Sequence, residues 1–428
     1  MIRLPKLAPM RALTLSLSAL TALTLFGLSS RTPASADAGC ITAKTWVDPA
    51  NGHAAYGDNS HDDWQNLQDM INYALLNNQA VKFEPGQYRI TKTLVLALAK
   101  NYYQVIGFRM SGIAGPNPYA GQTNGVGLIM DANSTTQPAV LEIGQGAFYD
   151  TTIESIGLSS LVPNYGTPYG LLFAEQEYSH VKVEMVTVSN VGTDFANIQG
   201  TSGGGNGEDV NIDNCSGGGM CFYSNSCGQA LYHRIHDCQA GGPNGATAIK
   251  IGSGNLGFDL DVTGFSYTFG TGPLRNTFIE NDGVSGTVNV KGGRLEWCDT
   301  LLTYSGGSYN QTGHVEIRGI DLNFGPGKFP ILDATLNGRL VQSNGQYTNT
   351  ISNCTFGGVG GPLSLAPVGG DFSKTFFEKC SFGGFSNKLT DLANVSGVNQ
   401  LQQMGIAIRD CRAAPPTNNA PMSNMSYP

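Results

Sequence analysis

Asn211–Cys215 reads NIDNC, and Arg234–Cys238 reads RIHDC. Both pentapeptides carry an apolar second residue and a fifth-place cysteine, about 23 positions apart. Working outward in both directions, the pattern recurs as TIESI, KVEMV, DVTGF, NVKGG, EIRGI, TISNC, FFEKC and AIRDC. The second residues are Ile153, Val183, Ile212, Ile235, Val262, Val290, Ile317, Ile351, Phe377 and Ile408, at spacings of about 23 to about 34 residues. Most fifth residues are Cys or another apolar side chain. A second series lies between them, as in FANIQG, CFYSNS, AIKIGS, FIENDG and LLTYSG, and its members run out into Asn, Ser, Asp or Gly. Those are turn residues. About ten coils of two or three short strands, with no helix between strands, predict an all-β fold: a right-handed parallel β-helix, a solenoid whose coils bury their inner faces on one another. A β-sandwich would need hairpin turns every 8–12 residues, and Asn-Gly is too rare here at that spacing.

Composition agrees. Charged residues make up only 13% of the 428, while 57 are Gly. That disfavours helices and suits short strands with tight turns. The net charge of −8 argues against nucleic acid as a partner and against capture of an anionic polymer by bulk charge. At the N-terminus Arg3, Lys6 and Arg11 precede the apolar run ALTLSLSALTALTLFGL, and Ala34-Ser35-Ala36 follows. This is the layout of a secretory signal peptide, over residues 1–36, with cleavage near Asp37. A secreted protein, extracellular or periplasmic, with no membrane span is the expectation. The β-helix domain is expected over 37–412. The Pro- and Asn-rich remainder, 413–428, is expected to be a loose tail.

An open solenoid end exposes apolar rungs and needs a cap. Asp62 or Asp63 can start a helix on which Trp64, Leu67, Ile71, Ala74 and Leu75 share one face. The run DDWQNLQDMINYALLNNQAVKFEPGQYRI, with its Asp62-Asp63 start, Phe83, Pro85-Gly86 and Tyr88, resembles the opening of the pectate-lyase-like β-helix superfamily. That superfamily includes the family-28 glycoside hydrolases and phage tailspike relatives. The resemblance implies the same fold, and an activity that cuts polysaccharides by hydrolysis or β-elimination on an outer face of the middle coils. The chain has no Asp-Asp pair on a middle coil, no Gly-His-Gly and no Arg-Ile-Lys. The polygalacturonase residues are therefore not carried over.

Strand side chains alternate between faces. With each second residue inward, the first and third point out. The first residues run Thr152, Lys182, Asn211, Arg234, Asp261, Asn289, Glu316; the third run Glu154, Glu184, Asp213, His236, Thr263, Lys291, Arg318. Stacking at about 4.8 Å per coil puts Asp213 beside His236 and Arg234 beside Asp261. A carboxylate next to an imidazole suits acid–base work. Asp213, His236, Asp261 and Glu316 are the candidate catalytic residues, with Glu280 and Glu296 in reserve. Arg234, Lys291 and Arg318 are candidate substrate contacts, and Tyr223 and Trp297 candidate stacking platforms for sugar rings. Tyr232 and Tyr267 are weaker candidates for that role. His233 is read as a packing residue. No metal or other cofactor is expected: Asp259 and Asp261 offer two ligands, too few for calcium.

Cys215 and Cys238 take equivalent inner positions, as do Cys354, Cys380 and Cys411. Small buried hydrophobes pack in such rows without bonding, so at most one or two disulfides are expected, with Cys221 and Cys227 as one candidate pair.

The partner these features favour is a polysaccharide, cleaved within the chain by a glycoside hydrolase. Two coils separate Asp261 from Glu316, about 10 Å of backbone, within side-chain reach of an inverting pair. A polysaccharide lyase would use His236, Lys291, Arg234 and Arg318 on the same face to remove a proton and neutralise a uronate. A non-catalytic carbohydrate binder or adhesin-like solenoid is the third reading.

Overall fold

The computed structural model describes residues 39–97, 104–112, 125–133, 137–144, 146–162, 166–174, 177–198, 206–225, 229–252, 255, 257–282, 286–304, 313–324, 332–333, 335–336, 339–340, 347–357, 375–382 and 406–413. The expected signal peptide lies outside them. So does nearly all of the expected tail, although Ala413 still belongs to the last strand, Arg412–Ala413.

The chain is a right-handed parallel β-helix, the hand that crossovers between parallel strands adopt. Among the described residues the strands form two large sheets that pair in parallel; one antiparallel pair, Thr335–Leu336 with Arg339–Leu340, stands apart. The nine-stranded sheet runs from Leu94–Leu96 to Leu332–Asp333. The larger sheet bends within each coil into two arms. The first arm holds the pentapeptide repeats, and the second follows directly, as when Gln229–His236 leads into Gln239–Gly242.

The bend explains the repeat. Its fourth residues, Ser155, Met185, Asn214, Asp237, Gly264, Gly292, Gly319, Asn353, Lys379 and Asp410, all have positive φ, from 49° at Asp237 to 68° at Gly319. Gly, Asn and Asp enter this left-handed region at least cost, which is why they dominate the position. Six corner N–H groups reach the next coil: Ser155 donates to the carbonyl of Glu184, Met185 to Asp213, Asn214 to His236, Asp237 to Thr263, Asn353 to Glu378 and Lys379 to Arg409, at 2.8–3.0 Å.

The fifth residue turns back inside, where cysteine has a specific fit. The Sγ atoms of Cys215, Cys238, Cys354, Cys380 and Cys411 lie 3.2–3.4 Å from the carbonyl oxygen two residues earlier. They also lie 3.4–3.8 Å from the inner residue of the preceding coil. A small apolar side chain with a weak S–H donor suits that pocket. All eight described cysteines are free thiols; Cys227, half of the candidate pair, lies outside the described residues.

On the nine-stranded sheet the inner column is Leu141, Leu171, Phe195, Phe222, Ile249, Ile279 and Leu302, each no more than 1% exposed. Burying such a side chain stabilises by about 1.5–3 kcal/mol. The cap is the helix Trp64–Asn77, which buries Leu67, Met70, Ile71 and Ala74. Its start divides the work of two aspartates. Asp62 Oδ1 accepts from the Trp64 N–H at 3.1 Å, while buried Asp63 makes no side-chain cap bond. The Asp63 carboxylate instead accepts from the N–H groups of Tyr56 and Gly57.

Candidate functional site

The pairing register reproduces both expected columns on the first arm. Lys182, Asn211, Arg234, Asp261, Asn289 and Glu316 stand in one row, and Glu184, Asp213, His236, Thr263, Lys291 and Arg318 in the other. Asp213 is thus the register partner of His236, and Arg234 that of Asp261. The Arg234 guanidinium nonetheless turns toward the preceding coil, where Nη1 donates to Asp209 Oδ1 at 3.0 Å and Asn211 Oδ1 at 3.2 Å. Lys182 pairs with Glu184 at 2.6 Å on its own strand. His233 is buried between the rings of Phe222 and Phe258. Its Nε2 lies 3.1 Å from Asn197 Nδ2, so the amide donates to an unprotonated nitrogen.

Two expected platforms are not on this face. Tyr223 belongs to the nine-stranded sheet, in Met220–Asn225. Tyr223 remains a candidate platform, but on a different sheet from the charged columns. The reason is that its coil passes through another sheet before reaching the first arm. Trp297 sits at the far end of the second arm, where the register shifts between Glu296 and Cys298 and its φ is 60°. Reserve residue Glu296 is on that arm too, paired with Arg294 at 3.0 Å. Tyr267 is 1% exposed and packs the core.

A denser cluster surrounds Tyr223. Along the outer column of the nine-stranded sheet stand Leu172, Ala196, Tyr223, Lys250, Glu280 and Thr303. Leu172, Ala196 and Ala139 make an apolar floor, with Tyr169 and Ile198 packed on it. Next to that floor, Lys250 Nζ lies 2.7 Å from Glu280 Oε1 and 3.9 Å from Asp282 Oδ2. Thr247 Oγ1 donates to the other Glu280 oxygen at 3.2 Å. Glu280 lies in the strand Thr277–Asn281 and Asp282 follows directly after it, so a single ammonium lies near both carboxyl groups.

The lysine here is drier than its first-arm counterpart, while the carboxylates are about as dry as Glu154 at 17% and Glu184 at 24%. Lys250 is 29% exposed, Glu280 21% and Asp282 20%, against 45% for Lys182. Burial pushes the Asp282 carboxyl above its ordinary value; the Lys250 charge pulls it down and Glu280 pushes it further up. Burial alone would lower Lys250, yet the hydrogen bond and charge of Glu280 hold it above its usual range. Burial also raises the phenols of Tyr169 and Tyr223. Two carboxyl groups beside one ammonium, aromatic rings and an apolar floor are a candidate constellation for acid–base work.

Glu280 and Tyr223 were read from sequence for other reasons; Lys250, Asp282 and Tyr169 were not. The signal was present in AIKIGS and FIENDG, where the residue after the inner Ile is Lys250 in one and Glu280 in the next.

No family model and no curated relative matches this chain. Among solved structures it is similar to the N-terminal fragment of bacteriophage Phi29 gene product 12, at 11% identity and a TM-score of 0.46, over 88% of this chain and 71% of that one. It is similar to the catalytic unit of a GH87 alpha-1,3-glucanase from Streptomyces thermodiastaticus, at 13% and 0.44, over 89% and 69%. It is also similar to the Streptococcus pneumoniae surface protein and adhesin PfbA, at 10% and 0.43, over 89% and 98%. These are likenesses of fold. Among the described residues no helix is long and apolar enough to cross a membrane.

Proposed function

We propose that the protein is a secreted carbohydrate-active enzyme that hydrolyses glycosidic bonds on the outer face of the nine-stranded sheet. The observation that carries this reading is the Lys250 ammonium held between two half-buried carboxylates, Glu280 and Asp282, beside Tyr223. Asp282, favoured in its protonated form by burial, donates a proton to the leaving oxygen as the glycosidic C–O bond breaks. Glu280, which accepts from Lys250 and Thr247, is the ionised partner that assists the incoming water or attacks the sugar carbon. Tyr223 and Tyr169 supply ring faces for a polysaccharide lying along the column. Hydrolysis is favoured over elimination because the Lys250 ammonium is already engaged by Glu280, and a lyase needs a cation available to the uronate.

A second reading keeps the chemistry on the first arm, with Asp213, His236, Asp261 and Glu316 as acid and base and Arg234, Lys291 and Arg318 binding substrate. The register of Asp213 with His236 favours it. The test is reducing-end release from a panel of neutral and uronate polysaccharides, with ultraviolet absorbance recorded for unsaturated products. Glu280→Gln and Asp282→Asn should each cut turnover about 10²–10⁴-fold without new absorbance. Losses confined to His236→Ala and Asp261→Asn would move the chemistry to the first arm. A panel that binds but releases nothing would leave a carbohydrate-binding solenoid.

A further inference from the structure

The two outward columns of the first arm are ordered by charge along the solenoid, in opposite senses. In the first, Lys182 and Arg234 precede Asp261 and Glu316. In the second, Glu184 and Asp213 precede Lys291 and Arg318. Such a face is complementary to itself when turned end for end.

We propose that this face is a self-association surface on which a second copy of the chain docks, with coil order reversed, about a two-fold axis. The axis lies parallel to the strands, between Gln229–His236 and Phe258–Phe269. Rotation about it keeps each residue's position along the strand and inverts the coils, so each column meets its own copy reversed. Arg234, exchanging its contacts with Asp209 and Asn211, then faces Asp261 of the second copy, and Lys182, exchanging Glu184, faces Glu316. In the other column Asp213 faces Lys291, and Glu184 faces Arg318. Asn211 meets Asn289 and Thr152 meets Thr350, and no like charges meet among the paired positions of these two columns. A symmetric interface of this kind repeats every contact twice.

The register is selective. Sliding the second copy by one coil moves the axis onto a strand and sets Arg234 against Arg234, or Asp261 against Asp261. Tyr232 lies beside the proposed axis, 59% exposed and at a φ of 58°. That conformation is costly for a bulky residue, and an exposed aromatic near the centre of a contact is a common anchor.

Charge of this sort sets orientation more than affinity. The eight coils from Thr152 to Thr350 span only about 35 Å, so the contact is at the small end for specific pairs and the dimer is weak. It is independent of the chemistry on the nine-stranded sheet.

Sedimentation velocity of the full chain at low ionic strength, and again at about 0.5 M salt where screening is strong, tests it. The dimer should form in the first and dissociate in the second. Asp213→Lys and Lys291→Glu should each weaken it about tenfold or more, and the double variant should recover most of the loss. If either single variant loses its strand spectrum, Glu184→Lys with Arg318→Glu poses the same question. A monomer at all concentrations in low salt, a dimer indifferent to salt and to both reversals, or a double variant no better than the singles would overturn the proposal.

Discussion

At the scale of the residue, Lys250 tunes the carboxyl group beside it. Its positive charge is the influence that pulls the Asp282 carboxyl down against burial. Lys250→Met should therefore raise Asp282 further. If Asp282 is the acid, activity persists below its pKa and fades as pH rises through it, so the alkaline limb of the rate profile should move to higher pH. A limb that stayed in place or moved lower would take the acid role away from Asp282. His233 gives a second pH effect, on stability. Burial lowers its pKa from 6.5 to about 4. The unfolded chain then binds the proton more readily, so stability is intact above pH 6.5 and is lost as pH falls toward 4. The loss is on the order of 3 kcal/mol. His233→Gln should flatten that part of the stability curve, as read by urea unfolding at a series of pH values. The first-arm columns were legible in sequence because side-chain alternation and a repeat suffice to set them. The Lys250 cluster was not, because its members sit in the second, less regular series, and dehydration depends on packing that spacing does not reveal.

At the scale of the element, the decisive feature is the corner. The apolar second residue and the cysteine were visible as a repeat. The fourth residue was overlooked because Ser155, Met185 and Lys379 dilute the Asn/Asp/Gly signal, and because a left-handed backbone leaves no periodicity of its own. Its energetic share is measurable at two sites. Lys379 has a φ of 53°, so Lys379→Asn should stabilise by about 0.5–1 kcal/mol, part of the 1–2 kcal/mol that this conformation costs an ordinary residue. Gly292 has a φ of 65°, and a methyl added there meets nothing within 4 Å. Gly292→Ala should therefore destabilise by about 1 kcal/mol through the backbone alone. Denaturant midpoints at constant slope would check both. The helix start was likewise half legible: the Asp62-Asp63 pair marked the place, but only three-dimensional contacts divide its roles between the Trp64 N–H and those of Tyr56 and Gly57.

At the scale of the whole molecule, coils contact chiefly their neighbours, so stability approximates a sum of coils and junctions. The corners give that arrangement a mechanical meaning. The corner N–H groups of Ser155, Met185, Asn214, Asp237, Asn353 and Lys379 each tie one coil to the next, so tension applied along the chain from its C-terminal side should load one junction at a time. The solenoid should pay out like tape from a reel, in discrete lengths, and not yield all at once. The lengths are written in the repeat. Coils of about 23 to about 34 residues release about 80–120 Å of chain each, and the short coil between Ile212 and Ile235 should appear as the smallest step. Single-molecule stretching would record that order as a ladder of unequal extensions. One large, undivided rupture would mean that the coils are bound together by more than the bonds between neighbours.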